Sequence, residues 1–321
     1  MTKSWNNSFH IFFQLTKRHF LVFFKNKIRV FYTLMVPLII LAVYICFLRE
    51  LELSTVENML YQLNIPYTAE LKKYLDILVD SWMLSGIITL STITISIQTN
   101  NIIINDKENG VNRDFASSPI NKNLLIGSYF LFNFIVTLLI CFVVLLVCLI
   151  YLLVMGEFVI SFADFIMMIA ILSLSSITST LLTIFICSFI KRESTLASLI
   201  AIFSAIAGFL IGAYMPLSMF PGWLRNVCCF IPGTYSCGLM RFAFLNTPIE
   251  LFTQFMQTQG GIENASELIA SLTNSFGWNI NCFGVDIAIG YQALINIGWV
   301  VVFVVANVLS GKYLAKVTVD Q

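Results

Sequence analysis

Met215-Pro216-Leu217-Ser218-Met219-Phe220-Pro221-Gly222-Trp223-Leu224, followed by Pro232, Tyr235 and Arg241, comes directly after a long apolar run and is too broken to form a spanning helix. Pro216, Pro221 and Pro232 each lack a backbone donor and collide with the preceding turn, so they cannot share one regular helix. Phe220, Trp223, Leu224, Phe230 and Ile231 are too apolar for a solvated connection. Irregular backbone is tolerated at membrane depth only where helices or water shield it. The stretch is therefore read as a short re-entrant or interfacial hairpin, with an ordinary loop as the alternative.

The rest of the chain supplies the membrane. With 58% hydrophobic and 11% charged residues and a mean hydropathy of +0.88, the composition lies outside the range of soluble globular domains. Crossing about 30 Å of hydrocarbon takes about 20 apolar residues. Six runs qualify: Val30 to Leu48, Ser81 to Ile104, Leu124 to Leu153, Phe165 to Ile190, Thr195 to Tyr214 and Tyr291 to Leu309. The expected fold is an all-α integral membrane protein of six transmembrane helices, with the hairpin before the last. Its outer loops span about residues 49–80 and 215–290. An even number of spans puts both termini on one side.

Charge gives the orientation. Lys3, Lys17, Arg18, Lys25, Lys27, Arg29, Lys107, Arg113, Lys122, Lys191, Arg192, Lys312 and Lys316 fall on the side of the termini, with five acidic residues. Arg49, Lys72, Lys73, Arg225 and Arg241 fall on the other side, with twelve. The basic excess belongs in the cytoplasm, so both termini are expected there and the hairpin is expected to face outward. Residues 1–29 show no cleavable signal peptide. Phe9, Phe12, Phe13, Phe20, Phe23 and Phe24 recur at helical spacing among Lys17, Arg18, Lys25 and Lys27, which predicts an amphipathic interfacial helix leading into residues 30–321.

The spans carry no ionisable residue in their interiors; Asp80, Asp164 and Lys191 stand at their ends. Ion-coupled carriers usually need such groups, so a coupled secondary transporter is disfavoured. Uncharged polar residues do align. Ser81, Ser85, Thr89, Thr92, Ser96 and Thr99 share one helical face, extended by Gln98, Asn100 and Asn101. Helix packing and a substrate-facing surface at Ser85, Thr89, Thr92, Ser96 and Gln98 fit this pattern equally well. Ser173, Ser176, Thr180 and Thr183 repeat it. Ser194, Ser198, Ala201, Ala205, Gly208 and Gly212 form a small-residue seam suited to packing. The loop between the second and third spans, from Asn105 to Ile120, mixes Asp106, Lys107, Glu108, Arg113 and Asp114 with Phe115 and Pro119. It offers a surface for docking a soluble protein, unless it is merely a solvated loop.

Taken in order, these features resemble the permease subunits of type-2 ATP-binding-cassette (ABC-2) exporters. The basic aromatic amino-terminal helix resembles that family's connecting helix, and Asp106-x-Glu108-x-Gly110, ending near Ser118-Pro119, resembles its coupling-helix loop. Pro216, Phe220, Pro221-x-Trp223-Leu224, Pro232, Tyr235 and Arg241 resemble its re-entrant signature. The resemblance implies a half-transporter in a bacterial plasma membrane, paired with a second permease chain as a homodimer or heterodimer and surrounded by lipid, with no role for nucleic acid. Asp106, Glu108, Gly110, Arg113, Asp114, Phe115 and Pro119 would meet ABC ATPase subunits. ATP and Mg would be bound by those partners, since no G-x-x-x-x-G-K-[ST] occurs here and the chain itself is expected to bind no cofactor. By polarity alone, the uncharged, Ser/Thr- and Phe-rich interior suits an amphipathic or hydrophobic cargo: a drug, peptide antibiotic or lipid.

His10 and His19 are the only histidines, and no metal-ligand spacing is present. Cys228, Cys229, Cys237 and Cys282 would face outward, where a disulfide among them is possible. Asn264-Ala265-Ser266 fits a glycosylation acceptor. The segment from Asn246 to Gly290 has no assigned role. A membrane-embedded scaffold or enzyme working without an ATPase is the competing reading.

Overall fold

The computed structural model describes residues 2–62, 68–118, 120–258, 272, 276–277 and 279–317. The glycosylation motif, Gly260-Gly261 and Pro119 lie outside them. The described chain is almost entirely helical, and six helices are long and apolar enough to cross a membrane, as the composition requires.

Helix α1 (Thr2–Lys25) stops at Asn26, whose side chain caps α2 (Lys27–Val43) by accepting from the Arg29 amide at 3.1 Å. The first span does not end at Leu48. A π turn, Tyr44–Leu48, leads straight into α3 (Arg49–Gln62). Helix α4 (Ala69–Thr99) likewise starts well before Ser81, because the Thr68 hydroxyl accepts from the Leu71 amide and caps it. The region expected as an outer loop over residues 49–80 is thus mostly helix. Arg49, Asp76 and Asp80 turn inward and pair, while Glu50, Glu57, Glu70, Lys72 and Lys73 stay on the exposed faces of the helices.

Short helices α5 (Asn101–Glu108) and α6 (Val111–Ser117) follow, then α7 (Lys122–Met155), α8 (Phe162–Ser188) and α9 (Glu193–Leu210). After a 3-10 turn, Leu217–Met219, come α10 (Gly222–Cys228), α11 (Pro232–Thr258), the antiparallel hairpin β1 (Ile280–Cys282) with β2 (Val285–Ile287), and α12 (Ile289–Val317).

The bundle is built around α4. It is the most polar helix of the spanning set after its first turns, yet its apolar window is wholly enclosed, whereas the far more apolar α7 leaves much of its surface open. A helix touching lipid must be apolar on its outer face, while an enclosed one needs only partners for its polar groups. Trp82, Met83, Leu84, Ile87 and Ile88 of α4 are fully buried in the main core.

Helix α11 is the principal departure from the sequence reading, which placed residues 215–290 in an outer loop. Pro232 takes the first helical position, where its missing amide costs nothing. The helix then runs antiparallel to α4, from Gly233 beside Ile93 to Phe255, whose ring stacks on Tyr74 at 4.6 Å. Helices α10 and α11 meet at 89°, giving either a broken span or a re-entrant loop. Because α11 starts beside Ile93, the corner lies within the length of α4 and not beyond its end.

Candidate functional site

Three consecutive charged residues on α5 each hold a different element. Asp106 is 5% exposed and accepts both guanidinium nitrogens of Arg18 on α1, each at 2.7 Å, and the Tyr129 hydroxyl of α7 at 2.5 Å. Lys107 Nζ donates to the carbonyls of Cys187, Ser188 and Ile190 at 2.7, 3.0 and 3.0 Å, closing the carboxyl end of α8. Glu108 Oε2 accepts from the Glu193 amide at 2.9 Å and so caps α9, whose own N-cap residue, Arg192, makes no side-chain bond.

Arg18 also lies over the Phe115 ring of α6, 5.5 Å from its centroid. Next to it, His19 is fully buried, stacked on Tyr129 at 4.1 Å, with Nε2 3.1 Å from the Ser128 hydroxyl. Burial, then the Arg18 charge, pushes its pKa down to about 4, so the ring is neutral. Between α5 and α6, Gly110 adopts φ +77°, a left-handed corner with nothing within 4 Å of a Cβ there. Asp114 is exposed and Phe115 half-buried. The side chains of Arg113 and Pro119 lie outside the described residues.

The second cluster of predicted residues is at the other end of the bundle. Pro216 and Pro232 are buried; Pro221 and Trp223 are exposed; Phe220 and Leu224 are half-buried. Tyr235 is buried and its hydroxyl donates to the Cys229 carbonyl at 2.7 Å. A disulfide joins Cys229 to Cys282, tying the α10–α11 corner to β1, while Cys228 and Cys237 stay free and buried. Arg241 is enclosed beneath Trp82, 4.8 Å from the ring, and donates to the Gly212 carbonyl.

Residues 48–309 match the family model described as ABC-2 family transporter protein. The chain belongs to this family. A comparison with curated proteins returned no match. Membership makes the chain a multi-pass permease component of an ABC transporter and implies association with ABC ATPase subunits.

In this ABC-2 permease the stripe on α4 is not an open lining. Ser85, Thr89, Thr92 and Ser96 are completely buried. Thr92 meets Ser179 at 2.9 Å, and Ser96 meets Thr183 of α8 at 2.6 Å and Asn133 of α7 at 3.1 Å. Asn133 also donates to Asn100 at 2.6 Å and accepts from Thr137 at 2.9 Å. Of the two readings of the stripe, the geometry favours helix packing: it satisfies hydroxyls that lipid could not. Gln98 departs from the stripe and lines a separate cavity of about 410 Å³ with Arg29, Tyr32 and Asn101.

Sequence reasoning missed one buried cluster altogether. Asp80, fully buried on α4, accepts from the Tyr44 hydroxyl at 2.6 Å, Arg49 Nε at 2.9 Å and the Tyr151 hydroxyl at 2.9 Å. Arg49 also pairs with Asp76 at 3.3 Å and with Glu157 at 3.2 Å. Burial, reinforced by Asp80, holds the Glu157 carboxyl above the usual carboxylate range. No local signal pointed to the cluster, because a regular helix would place Tyr44 and Arg49 on different faces and only the π turn brings them together.

Proposed function

We propose that this permease is the passage of an ATP-driven exporter in a bacterial plasma membrane, with both termini cytoplasmic. It pairs with a second permease chain and is driven by separate ABC ATPases that bind ATP and Mg. The α5 junction carries this reading: one short helix grips α1, α7, α8 and α9 through Asp106, Lys107 and Glu108, so a push on the α5–α6 corner reaches four elements at once. Exposed Asp114 and half-buried Phe115 supply the surface on which an ATPase would press. The basic excess at this end and the disulfide at the other support the orientation, since disulfides persist on the oxidising side.

The cargo class is supported by a cavity of about 460 Å³ whose walls include Ile93, Leu182, Phe203, Phe230, Trp299 and Phe303. Such a lining suits a hydrophobic or amphipathic compound moved out of the cytoplasm or the inner leaflet. The test is co-purification with an ABC ATPase and reconstitution into vesicles. Hydrolysis should rise on assembly and again with a lipophilic substrate, and Phe115→Ala should abolish the first rise while leaving the permease folded. A chain that acts unaccompanied would favour a scaffold or enzyme, and export restricted to a polyanionic glycan would exclude the cargo class.

A further inference from the structure

A separate polar cavity of about 250 Å³ lies between the 3-10 turn, α10, α11 and the β hairpin. Its wall carries Arg225, Arg241, Ser218, Asn279 and Asn281, with Asp286 exposed at its edge. Arg241 is 2% exposed, and the Nε atoms of both arginines are buried without a hydrogen-bond partner. Arg241 reaches the Gly212 carbonyl and the Trp82 face, but among the described residues neither arginine has an ion-pairing carboxylate. Asp286 is held instead by the Asn281 amide at 2.6 Å. Glu52 acts on Arg241 electrostatically without closing an ion pair, and a buried guanidinium with an unpartnered donor is unfavourable, so an anion entering the cavity would be stabilised there. The approach is kept clear by Gly277, at φ +66°: a Cβ there would sit 3.0 Å from Arg241 Nη1.

We propose that this cavity binds an anionic group, a phosphate or carboxylate, through Arg241 and Arg225. At about 250 Å³ it is smaller than the roughly 300–1,000 Å³ pockets that enclose a drug-sized molecule, so it takes a head group and leaves the remainder outside. The site stands on its own geometry and not on the exporter reading: binding can be measured without any ATPase, and failure of either leaves the other intact.

The full chain in uncharged detergent, titrated with inorganic phosphate and separately with phosphatidylglycerol in mixed micelles, should show a saturable rise in thermal midpoint. Arg225→Gln, a half-buried position, should weaken the apparent affinity about tenfold. Asp286→Asn should strengthen it, because a like charge leaves the mouth. Response to both probes marks a general anion site, and response to phosphatidylglycerol alone marks a lipid head group. No saturable response to either probe, or a response that neither substitution alters, overturns the proposal. Arg241→Lys keeps the charge but loses the planar fork and should also weaken binding; if it fails to fold, the other two variants still decide.

Discussion

Asp106 illustrates how a residue that looks available for docking is already engaged. Its carboxylate is committed to Arg18 and Tyr129 inside the permease. Asp106→Asn removes the charge opposite a partly exposed arginine and should cost about 1–3 kcal/mol, less than a fully buried pair would. Thermal unfolding in detergent measures the loss, and an unchanged midpoint would refute the clamp. His19 makes a second residue-scale prediction. The unfolded chain protonates near pH 6.5 and the folded ring only near pH 4, so the unfolded state takes up the proton first. The contribution of His19 to stability is therefore complete above about pH 6.5 and declines as pH falls towards 4. The midpoint difference between the native chain and His19→Gln should shrink across that interval; a difference independent of pH would contradict it. Neither contact was legible in the sequence, because Arg18 and Asp106 are 88 residues apart and no local period links them.

Among elements, the spans were readable because lipid imposes a length and a composition on any helix that touches it. Helix α11 escaped because it faces protein, where Thr234 and Ser236 find partners and Arg241 is enclosed, and because the prolines before it break the apolar run. The α4 stripe was seen but remained ambiguous, since hydroxyls at helical spacing look the same whether they face water or another helix. Asn133 is the knot of that network, and Asn133→Ala would remove its bonds to Ser96, Asn100 and Thr137 at once and leave Asn100 Oδ1 without its donor, while Thr183 still holds Ser96. It should cost about 1–2 kcal/mol, whereas Ser173→Ala, which removes only a bond to its own helix at Ile169, should change the midpoint little. Equal effects would sink the packing account. At the α5–α6 corner, Gly110→Ala places a side chain in a left-handed conformation and should cost about 1–2 kcal/mol. Its larger effect should appear in ATPase stimulation; a variant that lost stability yet coupled normally would show that the corner is not the lever.

At the scale of the whole molecule, the two ends are built differently. The α5 end is held by charge-assisted hydrogen bonds, which can break and re-form, whereas the corner end is held by a covalent link across a separation of 53 residues. Closing a loop of that length contributes about 4 kcal/mol by chain entropy. Cys282→Ser should lower the midpoint far more than Cys228→Ser, and reduction should erase the difference; equal midpoints before reduction would argue against the bond. Between these ends lies the π turn of the first span. Residues five apart on a regular helix face about 140° away from each other, but the wider winding at Tyr44–Leu48 brings Tyr44 and Arg49 onto the same carboxylate, Asp80. The surplus residue works like a vernier. Removing one residue from that turn would re-index everything beyond it by about 100°, swinging Arg49 into lipid while the inner rod stays seated, so a single deletion should disable the chain where most substitutions nearby would be absorbed.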